Sequence, residues 1–196
     1  MLALTVGAYL LGSLSFAVIV SRAFGLPDPH DYGSHNPGAT NVLRTGNRLA
    51  ALLTLLGDGA KGFVAVFAAR QLAPLLDAPH VTVALVALSV FVGHLYPVFF
   101  RFAGGKGVST AAGIVLALHW PLGIILTGVW LTMAFGFRIS SLAALTTAVL
   151  LPLGLYYARG IGPEMLAGIV IALLVFWRHR ANIRQLVSGR EPTIGR

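Results

Sequence analysis

The run GVSTAAGIVLALHWPLGIILTGVWLTMAFGF, Gly107 to Phe137, extends for 31 residues without one formally charged side chain. A hydrocarbon environment accounts for such a stretch, because about 20 consecutive apolar residues let a helix cross a core about 30 Å thick. One straight helix of this length would measure about 46 Å, too long for any bilayer. His119, Trp120 and Pro121 stand near its middle, where proline removes a backbone donor and turns the preceding residue away from helix. The spacing predicts two short helices folded as a hairpin; the alternative is a re-entrant segment that dips in and returns.

Five further apolar stretches flank it: Leu2 to Val20, Leu49 to Ala69, Val81 to Phe100, Ser141 to Tyr157 and Glu164 to Trp177. With the hairpin they make seven segments, so the expected fold is all-α, a polytopic integral membrane bundle with about seven transmembrane helices. The re-entrant version has five spans and leaves both chain ends on the same sides. Composition points the same way: a hydrophobic share of 57% in 196 residues and a mean hydropathy of +0.83 exceed what one soluble core can hide. A single membrane-embedded domain, 1–196, is expected. The first stretch has no basic region before it, and Ser21-Arg22-Ala23 makes a poor cleavage site, so it reads as a retained span.

Fourteen Lys and Arg face 6 Asp and Glu, for a net charge of +8. In so apolar a chain that surplus implies anionic headgroups or anionic substrates. The cations are scattered between spans, which disfavours nucleic acid. With no cysteine, disulfides, thiolate metal sites and a cysteine nucleophile are excluded. If the N-terminus is outside, then Arg22, Arg44, Arg48, Arg101, Lys106, Arg138, Arg178, Arg180, Arg184, Arg190 and Arg196 fall on the cytoplasmic side, as the positive-inside bias requires. Arg70 and Arg159 fall outside, beside Asp77 and Glu164, and Lys61 belongs to a span.

Three glycine-rich segments and the tail carry the polar chemistry. Gly33-Ser34-His35-Asn36-Pro37-Gly38-Ala39-Thr40-Asn41-Val42-Leu43-Arg44 can turn backbone N–H groups inward as an anion nest, with hydroxyls and Arg44 as further donors; an ordinary surface turn is the bland alternative. Gly57-Asp58-Gly59-Ala60-Lys61-Gly62 sets Asp58 and Lys61 three apart on one helix face. Ionisable groups in a span are functional candidates, and a structural ion pair between helices is the other reading. Gly93-His94 and Tyr96-Pro97 precede Phe102-Ala103-Gly104-Gly105-Lys106-Gly107-Val108-Ser109-Thr110. There, Gly104, Gly105 and Gly107 before a helix N-terminus would let donors approach an anion, and Lys106 adds a full charge. This is no Walker A loop, because the upstream glycine spacing is missing. In Trp177-Arg178-His179-Arg180-Ala181-Asn182-Ile183-Arg184, a continued helix would put His179 and Asn182 on one face, with Arg178 and Arg180 reaching headgroups. His30 and His80 read as loop residues and His119 as an interfacial marker; for His35 and His94 a structural hydrogen bond is the leading role.

Arg44, Lys61, Lys106 and His179, with Asp58, could balance one or two phosphate groups of about −1.5 to −2 charges each. No serine has a recognisable triad context, the His-x4-Asp arrangement is missing, and six scattered acidic residues do not suggest a metal-dependent phosphotransferase.

Taken together, the four motifs resemble those of the bacterial acyl-phosphate:glycerol-3-phosphate acyltransferases, the PlsY family, over nearly the whole chain. The resemblance implies seven transmembrane helices and transfer of a fatty acyl group from acyl phosphate to the sn-1 hydroxyl of glycerol 3-phosphate, giving lysophosphatidic acid and phosphate. It implies no metal and no cofactor. Its implied partners are glycerol 3-phosphate, acyl phosphate and membrane lipids, with the enzyme that produces acyl phosphate as a candidate protein partner. The location it implies is the bacterial inner membrane, with the site on the cytoplasmic face. It places Ser34, Arg44, Lys106, His179 and Asn182 around the glycerol phosphate and the transferred group, and the loop Asn36, Gly38, Ala39, Thr40 and Asn41 around the acyl-phosphate headgroup. Asp58, Lys61 and His94 match motif positions as substrate contacts or their supports. His35 departs from the family pattern, where a small or basic residue is usual. Faces near Gly107 to Leu118 would form an acyl groove open to lipid. An organic-phosphate transporter is the rival reading, and a structural scaffold the weakest.

Overall fold

The long uncharged run folds as a hairpin. In a computed structural model that describes residues 1–194, helices α6 (Val108–Leu118) and α7 (Trp120–Phe137) are separated only by His119, which is extended at φ −154° and ψ 93°. The His119 Nδ1 accepts the Leu122 N–H at 3.3 Å, so this residue is the N-cap of α7. Pro121 sits in the first turn of α7, where its missing donor costs nothing. Arg196 lies outside the described residues.

The other elements are α1 (Leu2–Gly12), α2 (Phe16–Ala23), α3 (Ala39–Leu43), α4 (Arg48–Leu75), α5 (Thr82–Leu95) with a 3-10 turn at Val98–Phe100, α8 (Ser140–Arg159), α9 (Pro163–Arg178) and α10 (Arg180–Val187). No strand occurs among the described residues. Among the described residues four helices, α4, α5 with its 3-10 turn, α7 and α8, are long and apolar enough to cross a membrane. The count is six if the bent pairs α1/α2 (42°) and α9/α10 (62°) are each one span. At 11 residues, α6 is about 16 Å long and does not reach across alone, so length and composition give up to six crossings among the described residues where seven were expected.

Without water to drive helices together, close approach does the work. A Cβ on Gly62 would overlap the Thr110 carbonyl of α6, and one on Gly113 would overlap the Gly59 carbonyl of α4. Ser109 Oγ donates to Leu55 O at 2.6 Å and Thr110 Oγ1 to Asp58 O at 2.9 Å across the same seam. Gly59 and Gly62 are therefore a packing surface for α6, while Gly57 faces the Phe16 ring of α2. Phe91, Leu95, Ile114, Leu118, Leu155 and Ile171 fill the centre, while Leu75, Phe135, Tyr157 and Ile161 point outward, as lipid-facing positions do.

Arg70 departs from its expected neighbour Asp77: its Nη1 donates to Ala117 O at 2.5 Å, completing the carbonyl end of α6. Arg159 meets Glu164 at 2.9 Å, as expected. At the opposite end, the polar segments converge. His30 Nε2 lies 2.8 Å from Ala103 O, Lys106 Nζ donates to Asn182 Oδ1 at 2.7 Å, and the Ile194 N–H donates to Arg138 O at 2.7 Å.

Candidate active site

A cavity of about 1140 Å³ opens at that end and runs down between α4, α6, α7, α8 and α9. This exceeds the usual pocket for one small ligand. Ser34, Arg44, Lys106, His179 and Asn182 all line its polar part, and so do Asn36, Gly38, Ala39 and Thr40. The deeper part is apolar, walled by Phe63, Val115, Leu116, Leu126, Ala148 and Leu151.

The first loop is shaped from within by Asn41, whose side chain is buried. Its Nδ2 donates to Pro29 O (2.9 Å) and Tyr32 O (3.1 Å), and its Oδ1 accepts from Ser34 N–H (3.0 Å) and Arg44 Nη1 (3.1 Å). An amide has two donors and two acceptor sites, so Asn41 is fully occupied. Asn41 lines the cavity as well, and these four contacts clamp the loop and aim the Ser34 N–H and the Arg44 guanidinium.

The second loop is also partly structural. Gly104 and Gly105 do not line the cavity. A Cβ on Gly104 would overlap the His94 carbonyl, and one on Gly105 would overlap His94 Nε2. Their carbonyls accept from Arg178, Nη2 to Gly104 O at 2.5 Å and Nε to Gly105 O at 3.1 Å, and the guanidinium lies 5.6 Å from the Tyr96 ring centroid. The two glycines are thus needed for close packing, and Arg178 pins the loop that carries Lys106. Arg180 packs its guanidinium 5.0 Å from the Trp177 ring centroid. Gly107 does line the cavity; its φ of +84° is open to glycine and strained for other residues.

Lys106 projects into the mouth with Asn182 as its partner. Burial lowers its pKa from 10.5 to about 8; nearby Glu191 opposes that shift, and Arg178 and Arg44 add to it. His179 sits at the α9/α10 bend with its Nδ1 2.8 Å from Val175 O. A carbonyl can only accept, so Nδ1 carries the proton and Nε2 of the neutral ring is the bare nitrogen.

Asp58, Lys61 and His94 form a separate buried cluster. Asp58 Oδ1 lies 2.9 Å from Lys61 Nζ and 3.5 Å from His94 Nδ1, ion-pair contacts rather than well-aligned hydrogen bonds. Lys61 also donates to Leu14 O at 2.7 Å, a carbonyl exposed by the break between α1 and α2. Lys61 does not line the cavity, although Asp58 and His94 border it. Of the two roles expected for Lys61, substrate contact or support, these contacts suit support of a broken helix.

Two site residues escaped sequence reading. Glu191 Oε1 accepts from Asn182 Nδ2 (2.7 Å) and from Ser141 Oγ (2.5 Å), and both residues line the cavity. Ser141 was hidden as the first residue of a span and Glu191 as one acid in a basic tail. Among the described residues no three His, Asp or Glu side chains converge as a metal site.

The chain matches the family model described as glycerol-3-phosphate acyltransferase over residues 2–189. A glycerol-3-phosphate acyltransferase of Thiobacillus denitrificans is 58% identical, covering 100% of this chain and 98% of its own length. One from Herminiimonas arsenicoxydans is 55% identical, covering 97% and 93%. The crystal structure of PlsY, an integral membrane glycerol 3-phosphate acyltransferase, in its glycerol 3-phosphate form superposes with a TM-score of 0.91 at 36% identity, covering 99% of this chain and 95% of that one. Its lysophosphatidic acid form gives 0.89 at 35% identity, covering 98% and 94%. The match spans the four motifs and the helices that carry them, and this chain, a multi-pass membrane protein, belongs to the glycerol-3-phosphate acyltransferase family.

Proposed function

We propose that this chain, as one membrane-embedded domain, transfers an acyl group from acyl phosphate to the sn-1 hydroxyl of glycerol 3-phosphate, releasing lysophosphatidic acid and phosphate. The observation that carries the proposal is the joining, in one cavity, of a cationic mouth and an apolar channel. The mouth suits phosphate; the channel suits an alkyl chain. The related PlsY structures in glycerol 3-phosphate and lysophosphatidic acid forms support the acceptor and product.

Acyl phosphate is already activated, so no covalent enzyme intermediate is required. The hydroxyl oxygen attacks the acyl carbon, a new C–O bond forms, and the bond from that carbon to the phosphate oxygen breaks. Holding the two substrates together lowers the barrier by orientation. Lys106, Arg44 and Ser34 stabilise the charge gathering on the departing phosphate. The hydroxyl proton passes to a phosphate oxygen or to Nε2 of His179; His179→Gln separates the routes, since only the second loses turnover while both substrates still bind. The excess of cations at the cavity end supports a cytoplasmic mouth in the bacterial inner membrane, with the N-terminus outside and the C-terminus inside.

Purified protein in detergent, given acyl phosphate and radiolabelled glycerol 3-phosphate, should yield lysophosphatidic acid and phosphate in equal amounts without a second compartment, which a transporter would not do. Product from acyl thioesters only, or acylation at the sn-2 position, contradicts the reading.

A further inference from the structure

Three successive carbonyls of the loop that carries Lys106 each meet a nitrogen from another part of the chain. Arg178 donates to Gly104 O and Gly105 O, and the third, Ala103 O, faces Nε2 of His30 at 2.8 Å. His30 read as an ordinary loop residue, yet all its polar atoms are engaged. Its backbone N–H donates to Asp28 Oδ1 at 3.0 Å, its ring Nδ1 lies 2.6 Å from the same oxygen, and its carbonyl accepts from His35 Nδ1 at 2.7 Å.

The two ring contacts fix the charge of the imidazole. A carbonyl can only accept a hydrogen bond, and so can an ionised carboxylate. A neutral ring has one N–H, so it serves one of these oxygens and sets a lone pair against the other; the doubly protonated ring serves both. Burial raises the Asp28 carboxyl, but hydrogen bonds from the His30 N–H and ring, with Arg22 nearby, hold it below the usual carboxylate value. Arg22 from the end of α2, and Tyr32 and His35 from the loop itself, also face this corner, with Arg44 beyond Tyr32. The Lys106 loop offers the ring a carbonyl.

Resting on the acyl-transfer reading, we propose that doubly protonated His30 is a positioning residue: it ties the first glycine-rich loop to the Lys106 loop, and acyl transfer weakens when the second proton leaves. The link joins both walls of the cavity mouth. On one side Pro29, next to His30, accepts from Asn41 Nδ2 at 2.9 Å, and Asn41 aims the Ser34 N–H and Arg44. On the other, Ala103 stands three residues before Lys106. With one proton gone, Nδ1 keeps its N–H against the carboxylate and the Nε2 lone pair is repelled by Ala103 O. That contact opens, and Arg44 and Lys106 lose their fixed separation. The His30 side chain is 26% exposed, so solvent protons reach it.

The test follows kcat/KM for glycerol 3-phosphate from about pH 6 to about pH 8, where histidine changes charge, using the full chain in detergent with acyl phosphate as donor. His30→Arg supplies several donors and a permanent charge, so it keeps the link throughout, whereas His30→Gln is neutral throughout. The ratio of wild type to His30→Arg cancels the titration of the substrate phosphate and of Lys106. It should fall about three- to tenfold as pH rises, the loss expected of one hydrogen bond. The ratio of wild type to His30→Gln should fall toward unity over the same range, and it carries the test if the arginine variant does not fold. If His30 only packs the loop, both ratios stay level with pH, which overturns the link alone. A wild type that makes no lysophosphatidic acid at any pH overturns the acyl-transfer reading, and the link with it.

Discussion

Two polar clusters within one apolar bundle put lysine to opposite uses. Lys61 is enclosed, its ammonium held by Asp58 at 2.9 Å and by the Leu14 carbonyl at 2.7 Å. Lys106 stands at the cavity mouth with a neutral partner, Asn182, at 2.7 Å. The first lysine finds its anion within the chain and closes a broken helix; the second, with a neutral direct partner at the cavity mouth, is the one we propose meets the ligand. A charged residue in a membrane helix is therefore read by whether its partners already balance it.

Substituting methionine at each lysine breaks the comparison most forcefully. Lys61→Met leaves Asp58 as an uncompensated buried carboxylate and should cost about 3–5 kcal/mol of stability, seen as a large fall in thermal unfolding temperature in detergent. Lys106→Met should leave that temperature nearly unchanged and lower kcat/KM about a hundred- to a thousandfold, the loss expected of a donor to developing charge. Gly105→Ala forces a Cβ into His94 Nε2 and should cost about 1–3 kcal/mol through overpacking, with a smaller drop in turnover as the Lys106 loop shifts.

The pH profile sharpens the contrast further. With its pKa near 8, Lys106 loses its charge above that pH, so kcat/KM should fall about tenfold per unit there, while Lys106→Arg moves the fall upward. Stability should go the other way. Between about 8 and the unfolded value of 10.5, the unfolded chain binds the extra proton, so the folded state gains stability as pH rises.

Much of this was legible in the sequence, for physical reasons. The uncharged run betrayed its break because Pro121 and an over-long helix left only a hairpin or a re-entrant segment, and the cationic mouth followed from polar residues that lipid would not tolerate. What stayed hidden depends on tertiary distance. Gly104, Gly105 and Asn41 read as anion-binding residues, and their packing duties gave no signal, since a glycine needed for close packing and one needed for a ligand read alike. For Lys61 the sequence left substrate contact and support both open, because nothing local announces that the chain breaks at Leu14. Glu191 gave no signal, because only the folded tail brings it to Ser141 and Asn182.

The most direct test of the account is the binding of radiolabelled glycerol 3-phosphate to the two lysine variants, measured per mole of folded protein. Lys106→Met should bind at least about tenfold more weakly than wild type, and whatever Lys61→Met remains folded should bind as wild type does. Undiminished binding by Lys106→Met, with binding lost from folded Lys61→Met, would contradict the assignment of the two clusters.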